Sequence, residues 1–347
     1  MIENLNQHTV DRITTEYGKS SESWYLGFSG GKDSTALLKL TFRALEQAKK
    51  PKKPITVVYC DTGVEIPIVR SLVLRTLNGI CREARELKLP ITTKVVSPQL
   101  QDRYFVKVIG RGYPSPTNKF RWCTDRLRIN PVQALFKMEK GKRHVILLGI
   151  RQGESPERDR TIARYRTDSD CFFRQSGSDN SLIFGPIINY DSDAVWETLL
   201  HTNSPRSIDA KKLLVLYRHA NGECPIVRES KGPPCGKGRF GCWTCTVVRR
   251  DHAMENLVRE DGYEELQPLL MFRNWLVAVR DDPAYRARHR RNGAKGLGPF
   301  TLEARREILS RLLETQSATR WSLLSRKELQ AIKRLWAVDQ RSETYSE

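Results

Sequence analysis

Six consecutive residues, Ser29-Gly30-Gly31-Lys32-Asp33-Ser34, combine two hydroxyls at the ends, two glycines, an ammonium and a carboxylate. They sit where an apolar run (24–28) gives way to helical periodicity, which is the right place for an anion. Glycines allow close backbone approach, a helix N-terminus offers free N–H groups, and hydroxyls add donors. The GxxxxGK[ST] spacing of a Walker loop is absent. A bare glycine-rich turn with a capping Asp or Ser is the plainer alternative, but it does not need all six residues. The second chemical cluster is Cys235, Cys242 and Cys245, spaced C-x6-C-x2-C within GPPCGKGRFGCWTC. A C-x2-C pair with small neighbours can place two thiolates on one metal, and a third cysteine nearby points to a common centre. The fourth ligand must come from elsewhere: Cys123, in Arg121-Trp122-Cys123-Thr124-Asp125-Arg126, or Cys224, with Cys123 preferred. Four thiolates suit zinc as well as iron–sulfur, although the second C-x2-C usual in zinc ribbons is missing. Cys60, Cys81 and Cys171 read as core or incidental thiols, Cys60 standing out because it adjoins Asp61.

The elements that must hold these groups alternate between strand and helix. Strands are expected at 24–28, 55–60 (ITVVYC), 91–96 and 144–150 (HVILLGI), with a further one at 182–188. Helices are expected over 33–48 and 66–88 and from Asp191 or Ser192. Such alternation means βαβ units and a parallel sheet, with ligands at the carboxyl ends of the strands. Two long polar loops, 110–122 and 151–181, are expected to be functional or mobile. The segment 220–250 is rich in Gly, Pro and Cys and reads as metal-organised. Helical patterns follow at 251–280, 301–316 and 322–337. The chain is thus expected to hold an α/β domain over 1–205, a Cys-rich segment over 206–250 and a helical C-terminal region over 251–347.

Charge narrows the partner. The formal net charge is +19, of which +17 lies in the first 250 residues. A positive field over the part that carries the chemistry favours a polyanion, because bound phosphates release counterions. Around Cys123 stand Arg111, Lys119, Arg121, Arg126 and Arg128, interleaved with Tyr113, Phe120 and Trp122, a mixture able to hold phosphates and stack bases. Arg151, Arg158, Arg160, Arg164 and Arg166 follow the fourth strand. Residues 286–298 carry four arginines and a lysine without an acid, and read as a mobile phosphate-tracking loop; a solvated basic surface is the plainer alternative for all of these. No apolar run is long enough to span a membrane, and the opening residues lack a secretory pattern. A cytoplasmic protein with reduced thiols and no membrane partner is therefore expected.

Here the chain resembles the PP-loop ATP pyrophosphatases, of the adenine nucleotide alpha hydrolase-like fold, and within them the PAPS-reductase-like branch. The resemblance rests on SGGKDS, on Tyr59-Cys60-Asp61-Thr62-Gly63, on Gly149-Ile150-Arg151-Gln152-Gly153-Glu154-Ser155, and on Pro186-Ile187-Ile188 before Asp193-Ala194-Val195-Trp196. It covers residues 20–250. It implies ATP as cofactor, cleaved between the α and β phosphates, a step that needs positioning and charge neutralisation. Lys32 and Arg151 would then neutralise phosphate, Asp33 and Asp61 would hold Mg²⁺ or position the nucleotide, and Glu154 could do either. Ser29, Gly30, Gly31, Ser34 and Gly149 would complete the nucleotide site. The cysteines resemble the motif by which sulfate-activating reductases of this branch hold a [4Fe–4S] cluster, except that those have tandem cysteines and Cys123 stands alone. The ligand set implied is Cys123, Cys235, Cys242 and Cys245.

Three enzymatic readings follow from the resemblance. The chain is similar to the ATP pyrophosphatases of DNA sulfur-modification systems (DndC and SspD type), which implies DNA as partner, with a cysteine desulfurase or other sulfur donor and further sulfur-modification proteins. Reduction of adenylylated sulfate is the second; there a catalytic cysteine near the C-terminus is used, and no cysteine follows Cys245 before QRSETYSE. Thiolation of tRNA is the third, with a different usual cysteine layout. A nucleotide-sensing, DNA-binding subunit without catalysis is the remaining class.

Overall fold

The computed structural model describes residues 2–48, 51, 53–137, 142–175, 178–221 and 240–344. The chain divides into two compact units. The first comprises residues 1–59, 68–95 and 136–239, and the second 60–67, 96–135 and 240–347.

The first unit is built on a six-stranded sheet in the order β3-β2-β1-β4-β6-β5. The strands are β1 (Ser23–Gly27), β2 (Ile55–Cys60), β3 (Ile91–Val96), β4 (His144–Leu147), β5 (Phe172–Gln175) and β6 (Ser178–Phe184). The helices of this unit are α1 (Ile2–Lys19), α2 (Lys32–Gln47), α3 (Pro67–Glu86), α5 (Pro156–Tyr165), α6 (Ser192–His201) and α7 (Ala210–Asn221), while α4 (Asn130–Lys137) falls mostly in the second unit. The α/β class with a mostly parallel sheet is therefore as expected. β1 pairs in parallel with both β2 (Leu26↔Val57) and β4 (Leu26↔Leu147), and β4 with β6 (Leu147↔Phe184). Continuous apolar strands buried on both faces are what a parallel sheet requires. Around Trp24 on β1, Tyr17 of α1 and Phe184 of β6 pack edge-on at centroid distances of 5.4 and 5.9 Å. The register of β1 against β4 brings the segments that follow both strands out together at the carboxyl edge of the sheet.

Several elements differ from expectation. β4 stops at Leu147, because Leu148–Ile150 leave the sheet to build a loop. β6 begins at Ser178 and ends at Phe184, and Gly185–Ile188 turn instead. The polar stretch 151–181 holds α5 and β5, the latter antiparallel to β6. α5 is started by Ser155, whose hydroxyl accepts from Arg158 N, with Pro156 in the first turn. α6 begins where its sequence indicated, with Asp191 as N-cap to Ala194 N at 2.7 Å.

The second unit packs α8 (His252–Leu257), α9 (Gln267–Arg280), α10 (Leu302–Ser317) and α11 (Arg326–Thr344) with two π-helical turns, Val106–Gly110 and Thr124–Ile129. α11 lies close on the first turn: Trp336 Nε1 donates to Ile109 O at 2.8 Å, and a Cβ on Gly110 would come within 2.8 Å of Leu335. Arg305 of α10 is 6% exposed and links Gly110 O (2.8 Å) with Asp339 (2.7 Å). The cysteine-bearing segment docks through Trp243, buried between Phe105 and Phe272 at 5.9 and 5.7 Å. Arg273 of α9 is 1% exposed and donates to the carbonyls of Cys245 (2.8 Å), Arg249 (2.7 Å) and Val248. A buried guanidinium is tolerated here because carbonyls take up its protons. Arg273→Met keeps the bulk and leaves three carbonyls without a donor, each costing about 1–3 kcal/mol. Amides over 243–250 should then exchange about a hundredfold faster or more, with Arg273→Lys intermediate; unchanged protection would refute this role.

Candidate functional site

The phosphate loop is held in shape by its own side chains. Ser29 N donates to Ser34 Oγ at 3.2 Å, Gly31 N to Ser29 Oγ at 3.3 Å, and Ser34 Oγ to Gly31 O at 3.0 Å. Gly30 has φ +75°, and a Cβ there would lie 2.1 Å from Val73 Cγ2, so the position excludes any side chain. Gly31 is the N-cap of α2 and offers no side-chain oxygen to the helix. The first amide of α2, Lys32 N, is taken by the Tyr217 hydroxyl at 3.2 Å. Tyr217, buried on α7, is absent from every motif; 185 residues separate the partners, and nothing local in the sequence marks the contact.

Three charged residues converge at this helix start. Lys32 Nζ lies 3.1 Å from Asp33 Oδ1 and 3.2 Å from Oδ2, and Arg151 Nε donates to Asp33 Oδ1 at 2.5 Å. Arg151 also donates to Tyr190 O at 3.2 Å. Lys32 and Arg151 are 4% and 5% exposed. Burial holds the Lys32 ammonium below its usual pKa, opposed by the charge of Asp33 beside it and, more weakly, by Glu154. Glu154 itself takes Arg158. Lys32 and Arg151 against Asp33 leave one net positive charge among these three, and the α2 N-terminus adds its partial positive end. The result is a buried, electropositive anion cradle. Gly149 makes it possible: a Cβ there would stand 2.8 Å from Asp33 C and 2.9 Å from Ser34 N.

Sequence reasoning thus named Ser29–Ser34, Gly149, Arg151 and Glu154, and the structure brings these together within the first unit. Asp61 belongs to the second unit. There its Oδ1 accepts from Gly63 N at 3.1 Å, and it is 8% exposed. Beside it Glu65, which no motif marked, accepts from Thr62 N (3.0 Å), Thr62 Oγ1 (2.6 Å) and Gly63 N (3.1 Å). Burial raises the Glu65 carboxyl pKa.

The thiols of the second unit form a neighbourhood wider than the spacing suggested. Cys242 Sγ is 3.9 Å from Thr62 Oγ1 and accepts from Arg128 at 3.9 Å. Burial pushes the Cys242 thiol up to about 11, with Arg128 opposing and Glu65 and Cys245 adding to the rise. Cys123 is raised by burial and by Cys245. Cys60 is close enough to Cys242 to feel its charge, donates to Leu127 O at 3.2 Å, and is pushed to about 12, chiefly by burial. Cys60 is therefore part of the thiol neighbourhood rather than an incidental thiol. Among the described residues no group of three or more His, Cys, Asp or Glu is arranged to hold a metal ion. Cys123, Cys242 and Cys245 thus do not by themselves make the expected [4Fe–4S] site. Cys224 and Cys235 lie outside the described residues.

The contacts around Gly149 give a direct test. A methyl there meets main-chain atoms of Asp33 and Ser34, which have no rotamer to change. Gly149→Ala should cost about 1–3 kcal/mol and abolish the rise in thermal stability that pyrophosphate confers on the parent protein. Retention of that rise would show that Gly149 does not shape the cradle.

The phosphoadenosine phosphosulfate reductase domain matches residues 23–247. An uncharacterized protein of Methanocaldococcus jannaschii is 26% identical over 205 residues, 59% of this chain. The match takes in 37% of that relative's length. Among solved structures, a phosphoadenylyl-sulfate reductase from Candida auris in a phosphate complex is 13% identical, covering 62% of this chain and 90% of that one, with a TM-score of 0.37. An FMN adenylyltransferase from Candida glabrata with FAD and pyrophosphate is 13% identical, covering 89% and 82%, at 0.39. NMN synthetase from Francisella tularensis is 12% identical, covering 94% and 99%, at 0.37. No helix among the described residues is long and apolar enough to cross a membrane. With its match running over nearly two thirds of the sequence, the chain belongs to the phosphoadenosine phosphosulfate reductase domain family.

Proposed function

We propose that this protein is an ATP pyrophosphatase that adenylates a DNA backbone phosphate, so that sulfur can replace one of its oxygens. The observation that carries the reading is the cradle at the start of α2, where Lys32, Asp33 and Arg151 meet beneath a helix N-terminus. A non-bridging oxygen of the DNA phosphate attacks the α-phosphorus of ATP, the α–β bridging bond breaks, and pyrophosphate leaves. AMP is left on the backbone phosphate as an anhydride. The terminal sulfur of a donor persulfide then attacks the backbone phosphorus and AMP departs with the oxygen. A second thiol cleaves the resulting S–S bond, leaving sulfur on phosphorus and a disulfide on the donor side. Lys32 and Arg151 neutralise the leaving pyrophosphate, which draws them off Asp33 and frees its carboxylate for Mg²⁺ or the nucleotide. The work is positioning and charge stabilisation throughout. The net charge of +19 supports a polyanionic substrate. The sulfur donor is a cysteine desulfurase or a carrier loaded by one, with the remaining sulfur-modification proteins as partners.

With Mg²⁺, the protein should convert ATP to AMP and pyrophosphate, and Lys32→Ala should abolish this while leaving circular dichroism unchanged. Asp33→Ala should abolish it and lower thermal stability as well, because it leaves two buried cations unpaired. Formation of ADP would remove the pyrophosphatase reading. The second reading, reduction of adenylylated sulfate, is favoured by the family itself. Thiol-dependent release of sulfite from adenylylated sulfate, without any effect of DNA on pyrophosphate release, would establish it instead.

Cys123, Cys235, Cys242 and Cys245 are proposed as ligands of a [4Fe–4S] cluster, whose thiolate ligation would fix the loops that carry them. Protein purified without oxygen should be brown, and Cys242→Ser should lose its iron. Stoichiometric zinc in a colourless preparation would overturn the cluster.

A further inference from the structure

Two stretches of the second unit contain no acidic residue: 103–124 and 283–302. The fold joins them. Phe300 N donates to Gly112 O at 2.7 Å, Arg291 donates to Arg111 O, and the Arg291 guanidinium lies 4.8 Å over the Tyr113 ring. The second stretch is not the mobile loop its composition suggested. It is a hydrogen-bonded arm, with antiparallel bridges Arg286↔Phe300 and His289↔Lys295. Its rungs include Ala287 N to Pro299 O (2.8 Å), Gly296 N to Arg288 O (3.0 Å) and Arg290 N to Ala294 O (2.8 Å). Arg286 anchors it from inside, 8% exposed, donating to Gly298 O (2.6 Å) and Arg280 O (2.5 Å) and lying over Phe300. Arg288, Arg290 and Lys295 are left on its outside, all exposed. On the adjoining stretch Arg111, Lys119 and Arg121 are exposed too. Where cations of the first stretch do form ion pairs, at Arg103 and Lys107, the partners Glu328 and Asp102 come from outside it.

Between these cations stands an aromatic face. Phe120 is 45% exposed and stacks in an offset manner on Tyr113, at 6.5 Å and 21°. A turn fixes it, with Phe120 N donating to Thr117 O at 3.2 Å. Tyr113 in turn rests edge-on against Trp122 at 5.6 Å. A row of cations with no acidic partner among the described residues, beside an open aromatic ring, matches one chemistry: phosphates along a strand and a base on the ring. In a duplex the bases are already stacked and paired, so only an unpaired strand can offer one.

We propose that the arm 286–300 and the segment 111–121 form the surface on which a single-stranded polynucleotide lies, with a base stacked on Phe120. This rests on the reading of the protein as one that acts on nucleic acid, and adds the surface and the strandedness.

The test uses the full chain, a labelled oligo-dT and a duplex of the same length, with binding followed by anisotropy across a salt series. The parent protein should bind the single strand more tightly than the duplex. Each phosphate contact contributes about 0.7 to the slope of log affinity against log salt on a single strand. Arg288→Ala with Arg290→Ala should therefore reduce that slope by about 1.4. Phe120→Ala should weaken single-strand binding about tenfold, leave the slope unchanged, and be rescued by Phe120→Tyr. Pyrophosphate release from ATP without polymer should be unaltered in all of them. Steep, salt-dependent binding that survives these substitutions would overturn the surface while leaving the nucleic-acid reading intact. Equal losses on duplex and single strand would overturn the strandedness. No binding of either polymer by the parent protein, at low salt and with ATP, would remove the nucleic-acid reading itself.

Discussion

The carboxylate of Asp33, held between the Lys32 ammonium and the Arg151 guanidinium, is the interaction on which the nucleotide cradle depends. Two almost fully buried cations at the start of a helix would be unstable without it, since an unpaired buried charge costs several kcal/mol. Their mutual repulsion and the helix dipole would add to that cost. Asp33 makes the empty cradle foldable, and by doing so it keeps both cations in place for an anion. The same arrangement explains the glycines. α2 must start close enough to the loop after β4 for Arg151 to reach Asp33, and that approach leaves no room for a Cβ at Gly149 or for one at Gly30 against Val73.

The second unit solves a different problem, which is to order short polar loops around thiols with little regular structure. It does so with buried guanidinium groups. Arg273 collects the carbonyls that follow Cys245, Arg305 holds Gly110 O, and Arg286 closes the base of the arm. Each reaches several acceptors from one planar fork, which lysine cannot do. Desolvation lowers the pKa of Arg273 and Arg286, but an arginine so far above neutrality remains charged and remains a donor. The aromatic groups Trp243, Phe105 and Phe272 supply the apolar half of the same packing.

Legibility in the sequence followed the range of the forces involved. β2 was readable to the residue because a buried parallel strand is a continuous apolar run bounded by turns, and β3, half of it exposed at the sheet edge, because it is rich in β-branched residues. α2 and α6 were readable because periodicity and caps are local. β5 and the opening of β6 were missed because Phe172 and Phe173 stand in an otherwise polar stretch and their antiparallel pairing leaves no local signal, as was α5, whose composition resembles a loop. α1 was also missed; it buries Val10, Ile13 and Tyr17 on one face but is polar elsewhere. In the site, the motif residues were visible because chemistry demands unusual residue types at fixed spacing. Tyr217 was not, since it acts through a contact that only tertiary structure creates, and Arg128 was visible only as one cation of a basic cluster, not as a partner of Cys242.

Composition alone misleads most where arginine is concerned. Arg286 and Arg288 stand two residues apart in one run, yet the first is buried and satisfied by three carbonyls while the second faces water. A count of positive charges treats them alike. The structure separates arginines that hold the chain together from arginines left without an acidic neighbour in their own stretch. Only the latter can exchange solvent and counterions for phosphate, because the former would have to give up carbonyls that nothing else could satisfy. The field of a strongly basic protein is therefore not spread evenly over its arginines. It is concentrated where folding has brought acid-free segments together and then braced them from beneath with buried members of the same residue type.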